Sequence, residues 1–219
     1  MTVAVTVTDI QLPSVPGGSE GLTGVLAVPD GPGPWPGVVL VHEAFGINDV
    51  MRRQVVRMAE AGFVALMPDL FAMGGARKCL NATFRALRSG AGRAFIDIEN
   101  ARAALAQRPD STGSIGVLGF CMGGGFALAA ASAHGFDAAS ANYGMLPSDL
   151  DTAFDNACPI VGSYGGKDAT LKGAAAKLTA ALRFVMSRFM GAGPDPVAAA
   201  DAWQRIETFF GEHLAAPTR

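Results

Sequence analysis

"GVLGFCMGGGFALAAA", residues 116–131, decides the fold. A valine-leucine run leads into a cluster of glycines, Cys121 sits inside the cluster, and an alanine-rich run leads out. The first part reads as a buried strand and the last part as a helix, with no room for a long loop between them. A nucleophile at so sharp a turn needs small neighbours, because the backbone there is strained and tightly packed. Gly119 and Gly123, two residues before and two after Cys121, meet that need in the manner of the G-x-S-x-G elbow. The helix that follows presents its N-terminus to the thiol, which favours the thiolate, and it aims the Met122 amide at a developing oxyanion. On the pentapeptide alone a plainer reading stands equally open, a glycine-rich turn that holds a buried thiol. A weaker third reading is a dinucleotide-binding turn of an oxidoreductase, since Gly119, Gly123 and Gly125 also fit G-x-x-x-G-x-G. Against it, the turn lies mid-chain, and the next strand ends in Asn142-Tyr143 where a ribose-binding acid belongs, with Asp137 only at its start.

The same alternation of strand and helix runs outward from this stretch. "VAVTVT" and "GLTGVLAVP" read as opening strands, a hairpin with "VPGGSEG" as its turn. "GVVLVHE" at 37–43 is the continuous β-branched run of a strand buried on both faces. Asp49 is placed to cap a helix through about Ala61, with Val50, Val55, Met58 and Ala59 inward. "GFVALMPDL" gives the next strand, residues 80–107 are helical with a break near "SGAG", residues 123–134 form the helix after the elbow, and "FDAASANYG" and "CPIVGSYGG" supply two more strands. This rhythm predicts an α/β fold, a mostly parallel doubly wound sheet with helices on both faces, in one domain over residues 1–219.

Composition narrows the function. Half of the 219 residues are hydrophobic, 16% are charged and the net charge is −2, a globular balance that favours neither a nucleic acid nor an acidic membrane surface. Three cysteines at irregular spacing, Cys79, Cys121 and Cys158, give neither a disulfide framework nor a zinc site, and reduced thiols in a cytoplasmic protein are the simplest account. "MTVAVTVTDIQLP" lacks the basic start and apolar stretch of a signal peptide. The apolar residues 117–133 are too short and too glycine-rich for a membrane span. Cys79 and Cys158 have no glycine elbow around them and read as ordinary thiols.

Ligands of doubly wound sheets gather beyond the carboxyl ends of the strands. "HEAFG" at 42–46, "GFCMGG" at 119–124 and "GGKD" at 165–168 all follow predicted strands, so they converge on one pocket. Glu43 there is a carboxylate in a partly buried place, able to exchange a proton with the thiol, although a solvated strand-end carboxylate would look the same in sequence. Asp168 suits an orienting acid as well as it suits a plain turn. Phe45, Arg77 and Tyr143 also follow strands and are candidate pocket residues, with packing or solvation as their ordinary roles.

Taken together, "VVLVHEAFGIN", "GFVALMPDLF", "VLGFCMGGGFALAAA", "ANYG", "GKDATL" and "DAWQRIETFF" resemble the dienelactone hydrolase family of α/β-hydrolases, in order and over nearly the whole chain. The resemblance implies hydrolysis of a small-molecule ester or lactone by a cysteine in the usual serine's place, with no cofactor and no metal. It implies Cys121 as nucleophile, Asp168 as the acid that orients a histidine, Glu43 as the carboxylate that contacts the resting nucleophile, and the backbone amides of Ala44 and Met122 as the oxyanion hole.

The histidine departs from that pattern. A thiol of this kind needs an imidazole within hydrogen-bond reach. His42 points away from the face that Glu43 uses, His134 closes the helix after the elbow at roughly 18 Å along its axis, and His213 lies in the last helix. None follows Asp168 at a strand end. After Asp168 the stripe Leu171, Ala175, Leu178, Leu182, Val185, Phe189 is helical, "GAGPDP" breaks it, and Trp203, Ile206, Phe210, Leu214 form a second helical stripe. A strand and its histidine loop are therefore expected to be missing between about Leu182 and Met186. The expected function is a cysteine-dependent ester or lactone hydrolase impaired for want of a base. A non-catalytic binding protein on the same fold is the competing class.

Overall fold

The computed structural model describes residues 3–133, 135–147, 153–164, 173–181 and 196–214. Seven strands among them form one sheet, in the order β1-β2-β4-β3-β5-β6-β7. These are β1 (Val5–Gln11), β2 (Thr23–Pro29), β3 (Trp35–Val41), β4 (Val64–Pro68), β5 (Ser111–Phe120), β6 (Ala138–Asn142) and β7 (Ile160–Ser163). The helices are α1 (Asp49–Glu60), α2 (Ala76–Ser89), α3 (Arg93–Ala106), α4 (Met122–Ala133), α5 (Ala174–Ala181) and α6 (Pro196–Leu214). β1 and β2 pair antiparallel, β2 meets β4 antiparallel, and β4, β3, β5, β6 and β7 run parallel. That is the mostly parallel, doubly wound α/β-hydrolase sheet, and the order reverses at β3 and β4 because the crossover through α1 places β4 on the far side of β3.

Burial follows the pleat. Val39, Val41, Val117 and Ile115 face one cluster with Ile98 and Leu105 of α3 and Phe126 of α4, while Val38, Leu40, Leu118 and Phe120 face another with α1 and α6. With both faces covered, the middle strands have no polar side, which is why "GVVLV" and "IGVLGF" read as unbroken apolar runs. Each fully buried large side chain, such as Phe126 or Phe210, contributes on the order of 1.5–3 kcal/mol. α6 lies so close to β5 that a Cβ on Gly116 would stand 2.6 Å from the Phe210 ring. Arg57 of α1 pairs with Glu207 of α6 at 2.7 Å and lies over the Trp203 ring at 4.6 Å, tying the two helices of that face together.

Several expectations are corrected. β3 ends at Val41, so His42 and Glu43 are already in the loop. Asn48, not Asp49, caps α1, its side chain accepting the Met51 N–H at 3.0 Å. That register turns Met51 into the core and leaves Val50 49% exposed. α2 starts at Ala76, earlier than expected, so Arg77 is in a first helical turn and not in a loop. Among the described residues β7 is the last strand, and no helix is long and apolar enough to cross a membrane. The stretch about Leu182–Met186 lies outside the described residues, as do His134 and Asp168.

β1 and β2 form a hairpin, as expected, and its connection over residues 12–22 contains "VPGGSEG" and is closed by the Leu12 N–H donating to the Leu22 carbonyl at 2.8 Å. It is fastened to α3 by Asp97, which is fully buried and accepts from the Ser19 N–H at 2.7 Å and the Ser19 hydroxyl at 2.6 Å. Asn100, one turn on, donates to the Pro13 carbonyl at 2.8 Å. Burial raises the Asp97 carboxyl above its ordinary range, and the two Ser19 bonds only partly oppose that shift. A raised folded-state value means that the folded protein holds the proton more tightly. Stability therefore falls as pH rises from about 4, the unfolded aspartate range, through the folded value. Asp97→Asn keeps an acceptor for the Ser19 amide and removes the titration. In chemical denaturation across acidic to neutral pH, wild type is expected to lose stability relative to Asp97→Asn as pH rises. Asp97→Ala is expected to cost about 1–3 kcal/mol by orphaning the buried Ser19 amide.

Candidate active site

Only Cys121 separates β5 from α4. Its φ is +52°, the left-handed region, which a residue with a Cβ occupies at a cost on the order of 1 kcal/mol. The neighbours explain how this is held. The Cys121 N–H donates to the Asn142 carbonyl at 3.0 Å, and the Cys121 carbonyl accepts from the Gly125 N–H at 3.3 Å. The buried Asn142 side chain donates back to the Gly119 carbonyl at 3.2 Å. A Cβ on Gly119 would fall 1.9 Å from the Gly123 carbonyl oxygen, and one on Gly123 would fall 2.0 Å from that of Val41. Both glycines are thus consumed by backbone packing against the elbow, so their spacing needs no dinucleotide to explain it. The result is an exposed thiol at the N-terminus of a buried helix.

β5 lies between β3 and β6. Tyr143 follows the end of β6 and also has a positive φ, +44°, with its N–H donating to the Ser163 carbonyl at 2.7 Å. Glu43 follows the end of β3. The Tyr143 hydroxyl donates to Glu43 Oε1 at 2.8 Å. Strands are about 4.8 Å apart, so this bond spans roughly 10 Å of sheet and passes over the end of β5, where Cys121 sits. Burial, then the bond to Glu43 and the nearby charges of Glu43 and Cys121, hold the phenol well above its usual range. It is a proton donor here, and the Glu43 carboxylate is the acceptor.

The loop carrying Glu43 is set by His42. That ring is fully buried, edge-on to Phe71 at 4.7 Å. Its Nδ1 lies 2.7 Å from the Glu43 carbonyl oxygen and its Nε2 accepts the Leu70 N–H at 3.1 Å, which assigns the proton to Nδ1. Burial lowers its pKa, the Glu43 carbonyl and the Asp69 carboxylate opposing this in part. Both nitrogens are engaged and the ring is neutral, so His42 is a structural histidine, although it stands in the loop after β3 and not within the strand. The Glu43 carbonyl also accepts the Gly46 N–H at 3.0 Å, closing a turn around Ala44. Among the described residues the amides of Ala44 and Met122 donate to no protein acceptor.

Other candidates are placed differently. Phe45 is 81% exposed and Tyr143 40% exposed at the rim, joined by Met145, which the sequence had not singled out. Arg77 is exposed in the first turn of α2, whereas α2 reaches the elbow helix through Leu87, against Gly125, about 15 Å further along the axis. His213 stacks on Phe209 at 4.5 Å. α6 passes Phe120 at Trp203 and Gly116 at Phe210 and Leu214, so it runs away from the elbow. His213, ten residues beyond Trp203, is about 15 Å toward the opposite end of the sheet. Among the described residues no group of His, Cys, Asp and Glu is arranged to hold a metal ion.

A family model described as the dienelactone hydrolase family matches residues 22–193. A carboxymethylenebutenolidase of Pseudomonas putida is 29% identical over 145 residues, covering 62% of this chain and 61% of its own length. A Yersinia pestis protein provisionally given the same name is 28% identical over 174 residues, covering 72% and 65%. The chain thus spans less than two thirds of the length of these curated relatives. A solved Klebsiella pneumoniae structure, provisionally described as a dienelactone hydrolase, is 25% identical, with a TM-score of 0.79 over 95% of this chain and 99% of its own.

The three thiols stand in unlike places. Cys79 is buried and donates to the Phe71 carbonyl at 3.7 Å, and burial pushes the half-buried Cys158 thiol up to about 12. Cys121 is expected to react first with iodoacetamide near neutral pH, read by peptide mapping after partial labelling. Gly123→Ala, which drives a methyl group into the Val41 carbonyl, is expected to erase that selectivity and lower the melting temperature. Equal labelling of all three thiols in the unaltered chain would contradict the exposed elbow.

Proposed function

The chain belongs to the dienelactone hydrolase family of α/β-hydrolases, and from that premise we propose that it cleaves a small-molecule ester or lactone by attack of Cys121 on the carbonyl carbon. The observation that carries this reading is the single-residue elbow, an exposed thiol at positive φ on a helix N-terminus. The amides of Ala44 and Met122, which donate to no acceptor among the described residues, form the oxyanion hole, one from the β3 loop and one from the elbow helix. Preorganised amides stabilise the tetrahedral intermediate without reorganising during the reaction. Glu43 exchanges a proton with the thiol, the role that the family resemblance gives it, while Asp168, by that resemblance the acid that orients a histidine, is left without the imidazole it would hold. Phe45, Tyr143 and Met145 form the rim over which the substrate enters.

Acylation and deacylation are not equally served. Attack needs only a fraction of thiolate, whereas deacylation needs a deprotonated water. His42 has both nitrogens occupied and His213 lies toward the wrong end of the sheet. Loss of a triad member costs on the order of 10⁴ in rate, about 5 kcal/mol of barrier, while an oxyanion hole retains some catalysis. With an activated aryl ester the chain is expected to release about one product per enzyme in a burst and then turn over very slowly. A matching acyl adduct on Cys121 is expected by mass spectrometry. Cys121→Ala is expected to abolish both. A burst that survives Cys121→Ala would refute the nucleophile, and binding of an ester without any adduct would favour a non-catalytic protein.

A further inference from the structure

The Tyr143–Glu43 hydrogen bond is unexplained by packing. Tyr143 is partly exposed and strained at φ +44°, and Glu43 is half-buried, yet the two side chains reach across an intervening strand to meet at 2.8 Å. What lies beneath them is the nucleophile. Glu43 is also one residue from Ala44, whose amide donates to no acceptor among the described residues and which the proposed function makes half of the oxyanion hole. On that reading an acyl oxygen held by Ala44 brings the acyl carbon to the side of the elbow from which Glu43 reaches.

We propose that Glu43, held by Tyr143, is the general base that activates the deacylating water in this chain, in the place of an imidazole. This rests on Cys121 being the acylated nucleophile. Water gives one proton to the Glu43 carboxylate as its oxygen bonds to the thioester carbon. The tetrahedral intermediate then collapses, the C–S bond breaks, and the electron pair leaves with the Cys121 sulfur. The proton on Glu43 passes to that thiolate, which restores the thiol and the carboxylate and frees the carboxylic acid. Tyr143 is a positioning residue: its hydroxyl occupies one carboxylate oxygen, fixes the rotamer, and leaves the other oxygen for water. A general base of this kind is worth roughly 10²–10⁴-fold. The placement of the two described histidines agrees with this, since His42 is locked in its buried bonds and His213 is remote.

The test uses the full 219-residue chain and p-nitrophenyl acetate. The protein is acylated to completion at saturating ester and freed of reagent, and loss of the acetyl mass from Cys121 is followed with time. Glu43→Gln and Glu43→Ala are expected to deacylate on the order of 100-fold more slowly. Added formate is expected to restore a substantial part of the rate in Glu43→Ala, and none in Glu43→Gln, where the amide fills the space. Tyr143→Phe is expected to lower kcat several-fold with KM little changed, which a role in substrate binding would not produce. His134→Gln and His213→Gln are expected to deacylate at the wild-type rate. Unchanged deacylation in Glu43→Gln, failure of formate to rescue a folded Glu43→Ala, or slowed deacylation in either histidine variant would overturn the assignment while leaving Cys121 as nucleophile. Absence of any acetyl on Cys121 in the unaltered chain would overturn both.

Discussion

The structure turns on one contact, that of the first turn of α4 against the end of β3. With no Cβ at Gly123, the helix backbone approaches the Val41 carbonyl to a distance that no side chain would permit. Gly119 allows the same between strand and helix within the elbow. From this closeness the rest follows. β5 can turn into α4 through a single residue, that residue must adopt a left-handed conformation, and its side chain must point out of the sheet end. A looser junction would need more residues and would let the thiol fold back into the apolar face. The strain of order 1 kcal/mol at Cys121 is small beside the burial of α4 between β5 and α3, and Asn142 bonds the elbow from two sides.

The polar side chains are arranged around that junction in a definite hierarchy. His42 is buried and neutral because burial outweighs the pull of the Glu43 carbonyl and the Asp69 carboxylate. It therefore acts as a two-ended strut, fixing the turn that carries Glu43 and Ala44 to the loop after β4. Glu43 and Tyr143 then close over the thiol from either flank. A backbone frame of this rigidity sets where an acyl oxygen and an attacking water would lie. Rigid donors are worth more than mobile ones because they need not reorganise when charge develops.

In sequence the fold was legible wherever local constraints and global packing agree. The unbroken apolar runs at residues 37–41 and 115–120, the glycines around Cys121 and the alternation of strand and helix gave the parallel sheet and the elbow, because each reflects a requirement within a few residues. Where the cue was local but ambiguous the reading slipped. Both Asn48 and Asp49 can cap a helix, and only docking of α1 on the sheet chose Asn48 and buried Met51 in place of Val50. The β1–β2 hairpin was legible, but its anchors, Asp97 and Asn100 some eighty residues away, were not.

By itself, then, the sequence determined the family, the α/β architecture and the identity of the elbow thiol, since glycine spacing and burial periodicity are written along the chain. Tertiary structure alone decided which groups face one another. Glu43 and Tyr143 are 100 positions apart and meet only because β3, β5 and β6 are neighbours in the sheet. His42 is a strut only because Leu70 and Phe71 close around it, and His213 is remote only because α6 runs away from the elbow. Hydrogen bonds between distant segments leave no periodic trace in a single chain, because their partners are brought together by the path of the backbone and not by spacing along it.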